Sequence, residues 1–421
     1  MPGWHAATKE LQDEGTIQMV GIVEEQHGDR AGLFMQWKGM DWPILVDSLN
    51  LLEVPYVPIT LFVDEAGTVR NLVSSPRKSA EQLASFLAAA PPVPVEPSVV
   101  DDPNVSEGDS EPIRRDQRHR VRIEPARANS AAAWLQFADW TALMAAPGNL
   151  GKVIAAYERA AELDVQCHQA RFRLGVIHRL RFDSDHLEPG DFQRAVGHWE
   201  TALEIAPNQY ITRRRLEQYG PRLAKPYPFY DWVAAARESI IARCETPFPV
   251  AIEPSGAELA EPLEAFVATV ETEGEPDPGG AVARTTGRIA VETLTVPSII
   301  EPGGVARVHI VLRLRRHAGA HWNNEAGDLL YWVDPPKGWA VDRRLWSYSP
   351  LTGGAISSEP RRLEFEAKCP AGTAPGEVSF RCYALVHLCE DQSGACLYRR
   401  QDVSVTAIVE NRTTDKKSKN Q

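Results

Sequence analysis

The residues best equipped for chemistry are two cysteines near the carboxyl end. Cys389 and Cys396 stand at the ends of the segment Glu390-Asp391-Gln392-Ser393-Gly394-Ala395. Its Asp-Gln-Ser-Gly centre is hairpin-turn chemistry, and flanking strands would bring the two thiols into bonding range. Thiol–disulfide exchange needs an exposed thiolate that attacks a partner's disulfide through a mixed intermediate. A loop tip offers that exposure. The same spacing also suits a static disulfide clasp, or two reduced thiols. The remaining four cysteines stand singly, and no Cys-x-x-Cys pair occurs. Cys167 and Cys244 read as buried structural thiols. Cys369 and Cys382 could pair across strands, although their spacing does not demand it. The run His321-Trp322-Asn323-Asn324-Glu325 supplies one histidine and one carboxylate, below the ligand count of an ordinary metal centre. It reads as a loop whose Trp322 plugs a sandwich. Phosphate-cradling glycine loops, nucleophile elbows and zincin motifs are absent from the sequence, so no metal and no cofactor is expected.

The elements that must position the pair are part of a chain too long for one ordinary domain. At 421 residues, about three domains are expected from the usual ~100–200 residues each. The content of 43% hydrophobic and 24% charged residues belongs to the globular class. A net charge of −12 argues against a general binder of phosphate backbones, so no nucleic-acid partner is expected. There is no long uncharged apolar run, hence no expected membrane segment and no secretory signal in the stretch as given.

The 32 prolines are clustered, and the clearest boundary is residues 91–128, from Pro91-Pro92-Val93-Pro94 through an acidic run to Arg114–Arg122. So little apolar surface predicts a semi-extended linker, with its charges solvated. Ahead of it, over residues 1–90, strand and helix patterns alternate. Ile17–Val23, Ile44–Val46 and Thr60–Val63 are strand-like, Arg30–Trp37 and Ser79–Leu87 helix-like, and Asp64-Glu65-Ala66-Gly67 turns the chain into Val69–Val73.

Residues 129–248 read as helical. Lys152–Gln166 and Arg194–Asn208 are similar to each other, matching Tyr157 with Trp199, Ala160 with Ala202 and Leu163 with Ile205, which is a repeat signature. After a connector over 249–287, residues 288–410 carry short strands broken by glycine and proline turns. That pattern predicts an immunoglobulin-like sandwich. Residues 411–421 form a polar tail. The fold class expected is therefore multidomain: an incomplete α/β unit, an all-α helical-repeat segment and an all-β sandwich.

Three resemblances add to this reading. The segment Val57-Pro58-Ile59-Thr60-Leu61-Phe62-Val63-Asp64, followed by Gly67, resembles the loop-Pro-Thr-strand segment of thioredoxin-like redoxins. That group includes the alkyl hydroperoxide reductase/thiol-specific antioxidant enzymes and periplasmic TlpA-type oxidoreductases. The resemblance implies that Pro58 is cis and packs against catalytic thiols. In that family the thiols begin the first helix, where the helix dipole makes a thiolate available. Here the first helix begins at Met1-Pro2, downstream of the expected cysteines and strand. Two accounts follow: a recorded start that lies too late, or a pseudo-redoxin completed by a partner strand. An open central edge leaves backbone groups unpaired, which favours the first. His5 reads as a surface helix histidine rather than a surviving base.

Leu174-Gly175, Ala195, Trp199, Ala202, Leu203 and Pro207 look like a tetratricopeptide repeat, which implies either a groove for a peptide partner or a spacer. Tyr383–Tyr398 with its two cysteines resembles the amino-terminal, immunoglobulin-like domain of DsbD-type thiol:disulfide interchange proteins. There a hairpin cysteine pair passes reducing equivalents. Together the resemblances imply a thiol–disulfide oxidoreductase or thiol-dependent antioxidant protein. Its site residues are Cys389, Cys396 and Pro58, and its partner is a protein thiol or disulfide. The alternative is a non-catalytic scaffold whose repeats bind a protein. A redox hairpin fits a periplasmic or other extracytoplasmic, oxidising setting.

Overall fold

The computed structural model describes residues 2–72, 79–89, 130–268, 274–315, 319–349, 354–390 and 394–411. The expected linker over 91–128 and all but the first residue of the polar tail lie outside these residues. Both helices and sheets are present, arranged in successive α/β, α and β units.

The first unit contains α1 (Pro2–Asp13), β1 (Gly21–Val23), α2 (Asp29–Lys38), β2 (Ile44–Val46), β3 (Leu61–Val63), β4 (Val69–Leu72) and α3 (Ser79–Ala88). The apolar run from Ile17 extends further than the strand it was expected to form. Only Gly21, Ile22 and Val23 find partners, in parallel register with Ile44, Leu45 and Val46. β3 and β4 form a separate antiparallel pair. Asp64 shapes the turn between them: its Oδ1 accepts from the Ala66 and Thr68 amides, and Gly67 takes φ 77°. The strands leave Ile22, Leu45, Leu61 and Val63 exposed. α1 reaches both pairs, setting the Trp4 ring 6.3 Å from Phe62 and the His5 ring 5.5 Å from Trp42. The Val57–Pro58 peptide bond, ahead of β3, is cis.

The second unit is helical: α4 (Ala131–Met144), α5 (Leu150–Leu163), α6 (His168–Phe182), α7 (Asp191–Ile205), α8 (Tyr210–Glu217) and α9 (Trp232–Ala242). The matched residues Tyr157 and Trp199, and Ala160 and Ala202, are all fully buried. Gly175 on α6 allows a close approach of α7. A Cβ there would meet the Trp199 indole nitrogen at 2.2 Å, and that nitrogen donates to the Phe172 carbonyl at 3.2 Å. The apolar core of these helices takes in Leu49 from the first unit and Leu294, Val296 and Val311 from the third. Cys167 is buried as expected for a structural thiol, but Cys244 is exposed just past the end of α9, with φ 60°.

The third unit is two sheets around a second core. One has the order β10 (Ala340–Val341), β13 (Arg361–Lys368), β7 (Val305–Leu314), β5 (Ile289–Val296). The other has the order β11 (Leu345–Tyr348), β9 (Leu329–Asp334), β14 (Gly376–Glu390), β15 (Cys396–Val409), β6 (Ile299–Ile300). β8 (Ala320–Asn323) joins β14 and also pairs with β12 (Ile356–Ser357). His321, Trp322 and Asn323 of the His321 run are therefore strand, and only Asn324 and Glu325 lie in the bend that follows. Trp322 is buried in the sandwich core, with its indole nitrogen donating to the Glu359 carbonyl at 2.8 Å. Cys369 and Cys382 are separate buried thiols.

Charged side chains tie the three units together where they meet. Asp183, at the end of α6, accepts from Arg179 Nε at 2.6 Å and from Arg362 of β13 at 3.2 Å, and lies 3.5 Å from His27 of the first unit. Burial alone would raise the Asp183 carboxyl, yet Arg179 and Arg362 hold it below the ordinary carboxylate range. Burial pushes His27 down to about 3, so its imidazole is neutral. Beside this hub, Arg30 of α2 pairs with Glu258 of the connector at 2.6 Å, with both side chains buried. Buried pairs of this kind contribute little net stability but are costly to break.

Candidate functional site: a bridged cysteine pair on a sandwich hairpin

β14 and β15 pair without interruption from Gly376 with Val409 to Cys389 with Cys396. Residues 391–393 of the expected turn lie outside the described residues. On either side of them the hairpin is closed by Gly394 N donating to the Glu390 carbonyl and Glu390 N donating to the Ala395 carbonyl, both at 2.9 Å. Gly394 takes φ 65°, which suits glycine.

Strand alternation decides which side chains surround the cysteines. Along β14, Phe380, Cys382, Ala384, Val386 and Leu388 face the sandwich core. Tyr383, Leu385, His387 and Cys389 therefore point to the other face. There Tyr383 and Leu385 form a small second cluster with Trp332, and Val282 of the connector covers it. Arg400 stacks 3.7 Å above the Tyr383 ring and pairs with Asp277 at 2.9 Å, pinning the connector across this face.

Cys389 and Cys396 are joined by a disulfide. Cys389 is 6% exposed, whereas Cys396 is exposed. Two histidines stand beside the bridge. His321 of β8 is directly opposite Cys389 in the ladder. His387 lies two residues before Cys389, with its ring 4.6 Å from that of its cross-strand partner Tyr398. Burial lowers the pKa of His387, so its imidazole is neutral at neutral pH and can accept a proton. Arg288 and Glu390 pair at the same end of the sheet. The arrangement sets an exposed Cys396 and a buried Cys389 on either side of one bridge, with His321 and His387 on the same face of the sheet.

The structure thus brings Cys389 and Cys396 together and keeps Pro58 in the first unit. His5, at the far end of the chain from the pair, bonds Asp41 at 2.8 Å and is packed against Trp42 rather than standing free on a helix surface. His387 and Tyr398 carried no signal in the sequence beyond their equal distance from the hairpin centre. Among the described residues, no group of three or more His, Cys, Asp or Glu side chains is placed to hold a metal ion. Nor is any helix among them long and apolar enough to cross a membrane.

The site is a bridged cysteine pair at the end of a sandwich hairpin. No family model matches the chain, and no curated protein matches it. A protein of unknown function from Porphyromonas gingivalis is similar at 17% identity and TM-score 0.20, over 31% of this chain and 50% of its own. The sporulation control protein Spo0M of Bacillus subtilis is similar at 13% identity and TM-score 0.15, over 30% of this chain and 50% of its own. AggA, the major subunit of aggregative adherence fimbriae type I from Escherichia coli, is 15% identical at TM-score 0.18, over 30% of this chain and 99% of its own. The chain spans half the length of the first two. Scores this low carry no argument about fold or function.

Proposed function

We propose that this chain is a thiol–disulfide oxidoreductase in which the Cys389/Cys396 pair exchanges electrons with a protein partner. The observation that supports this most is the asymmetry of the bridge, with Cys396 an exposed residue and Cys389 a buried one. A partner thiolate attacks the Cys396 sulfur, the sulfur–sulfur bond breaks, and its electron pair leaves on Cys389, which takes up a proton. The partner's second thiolate then attacks the mixed disulfide and releases Cys396 as a thiol. The partner's dithiol is thereby oxidised, and the pair gains two electrons and two protons. The reverse sequence passes them to an oxidised partner.

On this reading the third unit is a DsbD-type sandwich, the first a thioredoxin-like redoxin unit with Pro58 in its cis-proline position, and the second a tetratricopeptide-like segment that presents a groove to a peptide. An extracytoplasmic setting goes with it. A non-catalytic scaffold is a second reading, favoured by one fact: residues 1–90 contain no cysteine.

Thiol counting on the native protein, before and after equilibration with a dithiol buffer, tests the leading reading. The expected result is a gain of two thiols that the Cys389→Ser/Cys396→Ser variant lacks. A bridge that stays closed in the native protein, or no bridge to begin with, overturns it. With Cys389→Ser alone, the exposed Cys396 should trap an oxidised partner as a mixed disulfide. The scaffold reading expects partner capture that survives reduction.

A further inference from the structure

The connection between β2 and β3 reaches the helices of the second unit. It makes two successive turns, with the Asn50 amide donating to the Asp47 carbonyl and the Glu53 amide to the Asn50 carbonyl, both at 3.1 Å. The segment's own side chains fix this shape. The Asp47 carboxylate accepts from the Leu51 amide at 2.8 Å and from the Leu52 amide at 3.0 Å. Asn50, at φ 50°, holds Val54 twice: its Oδ1 accepts from the Val54 amide at 2.8 Å, and its Nδ2 donates to the Val54 carbonyl at 3.0 Å. Asparagine visits the left-handed region more readily than most residues. The segment thus carries its own conformation, as a separable ligand does.

The helices receive it through its main chain. Arg173 of α6 is buried, and it donates from Nε to the Leu49 carbonyl and from Nη2 to the Asn50 carbonyl, each at 3.1 Å. Asp139 of α4 holds the Nη1 of the same guanidinium at 2.9 Å, and the Tyr157 hydroxyl donates to that carboxylate at 2.8 Å. The Tyr210 amide, first in α8, donates to the Pro55 carbonyl at 3.1 Å. An amide at a helix start has no partner within its own helix. Between these anchors Leu49, Leu51 and Val54 pack against the helical core. The carbonyls set the register whatever the side chains, and the three apolar side chains supply selectivity. Take the segment away, and two donors of a buried guanidinium lose their acceptors, so this face requires a main-chain occupant.

We propose that this face of α4, α6 and α8 is a peptide-recognition site whose ligand is the chain's own segment Asp47–Pro55, bound in cis. This rests on reading the second unit as a peptide groove, and it names the occupant. The pattern recognised is Asp-x-Leu-Asn-Leu-x-x-Val-Pro. A partner protein enters only by presenting the same pattern in place of the cis segment.

The probe is a fluorophore-labelled peptide with the sequence of Asp47–Tyr56, followed by anisotropy. It is titrated with the wild-type full chain and with the full-chain variant Leu49→Ser/Leu51→Ser/Val54→Ser, which loosens the cis segment and leaves the helices untouched. The variant should bind the peptide with a dissociation constant of about 100 μM or tighter, and the wild type at least about tenfold more weakly. Adding Arg173→Gln to the variant should weaken binding by about tenfold or more, and a peptide with the same three serines should not bind. Equal binding by wild type and variant overturns occupancy in cis while the groove reading stands. No binding to a variant that still folds by circular dichroism overturns the site itself. Hydrogen exchange in the wild-type chain decides the matter even if the variant unfolds: the Tyr210 amide should exchange slowly, and exchange at the rate of an open helix start overturns the proposal. Thiol counting depends on none of these results, so the redox reading fails or stands separately.

Discussion

His321 and Cys389 occupy one rung of the larger sandwich sheet, directly opposite each other on β8 and β14, with Cys396 opposite Cys389 on the other side. Directly opposed residues hold their Cβ atoms about 4.5–5.5 Å apart on the same face. An imidazole and a disulfide are thus neighbours through register alone.

The first prediction concerns that rung. Replacing His321 and His387 together by Ala should slow reduction of the bridge by a dithiol at neutral pH by about 10²-fold, the low end for general acid–base assistance. Alkylation of freed thiols over time measures it. Because the leaving Cys389 takes up a proton, the ratio of wild-type to variant rates should rise as pH drops through the lowered pKa of His387 and its imidazole becomes a proton donor. Equal rates in variant and wild type would remove both histidines from the chemistry.

Asp183→Ala should cost about 3–5 kcal/mol of stability, because it leaves the buried Arg179 without its ion partner. A denaturant melt measures this. A loss below about 1 kcal/mol, the worth of a surface pair, would mean the hub is solvated in solution.

Gly175→Ala should destabilise by about 1–3 kcal/mol through overpacking, since its new Cβ falls 2.2 Å from the Trp199 ring nitrogen. The Trp199→Phe background should recover part of the loss. Thermal melts of the single and double variants give the coupling.

Glu24 supplies a pH signature. Burial, with Asp47, raises its folded pKa to about 8 from an ordinary 4.5. The neutral carboxyl therefore supports the fold fully below pH 4.5, and that support is lost as pH rises towards 8. Glu24→Gln should match wild type near pH 4 and exceed its stability near pH 9. Parallel urea curves for the two proteins across that range would show the opposite of what burial requires.

How much of this was readable beforehand depends on the sequence distance involved. Asp-Gln-Ser-Gly between two cysteines signals a hairpin because turn preference is local, and Trp322 signals burial because a large indole rarely stays wet. The rung at His321 is different, since it depends on how two strands nearly seventy residues apart slide into register. The same holds for Asp183, whose partners His27 and Arg362 come from the other two units. Ile17–Val20 read as strand because they are apolar, but a strand also needs a neighbour, and only 21–23 have one. Cys244 looked like a core thiol by residue type, while its place just past a helix end leaves it in water.

The alternation along β14 has one more consequence. Cys382, Ala384, Val386 and Leu388 belong to the core, and Tyr383, Leu385, His387 and Cys389 to the outer face. The strand is read like a two-letter frame. Inserting a single residue between Tyr383 and His387 would shift that frame for everything after it, turning Leu388 outwards and the Cys389 sulfur towards the core. The stretch beyond Cys389, where the chain reverses, is where length can change without moving either face. A change of length should therefore be tolerated at the tip of the hairpin and not along its shaft, and the Cys389–Cys396 bridge sits where the two meet.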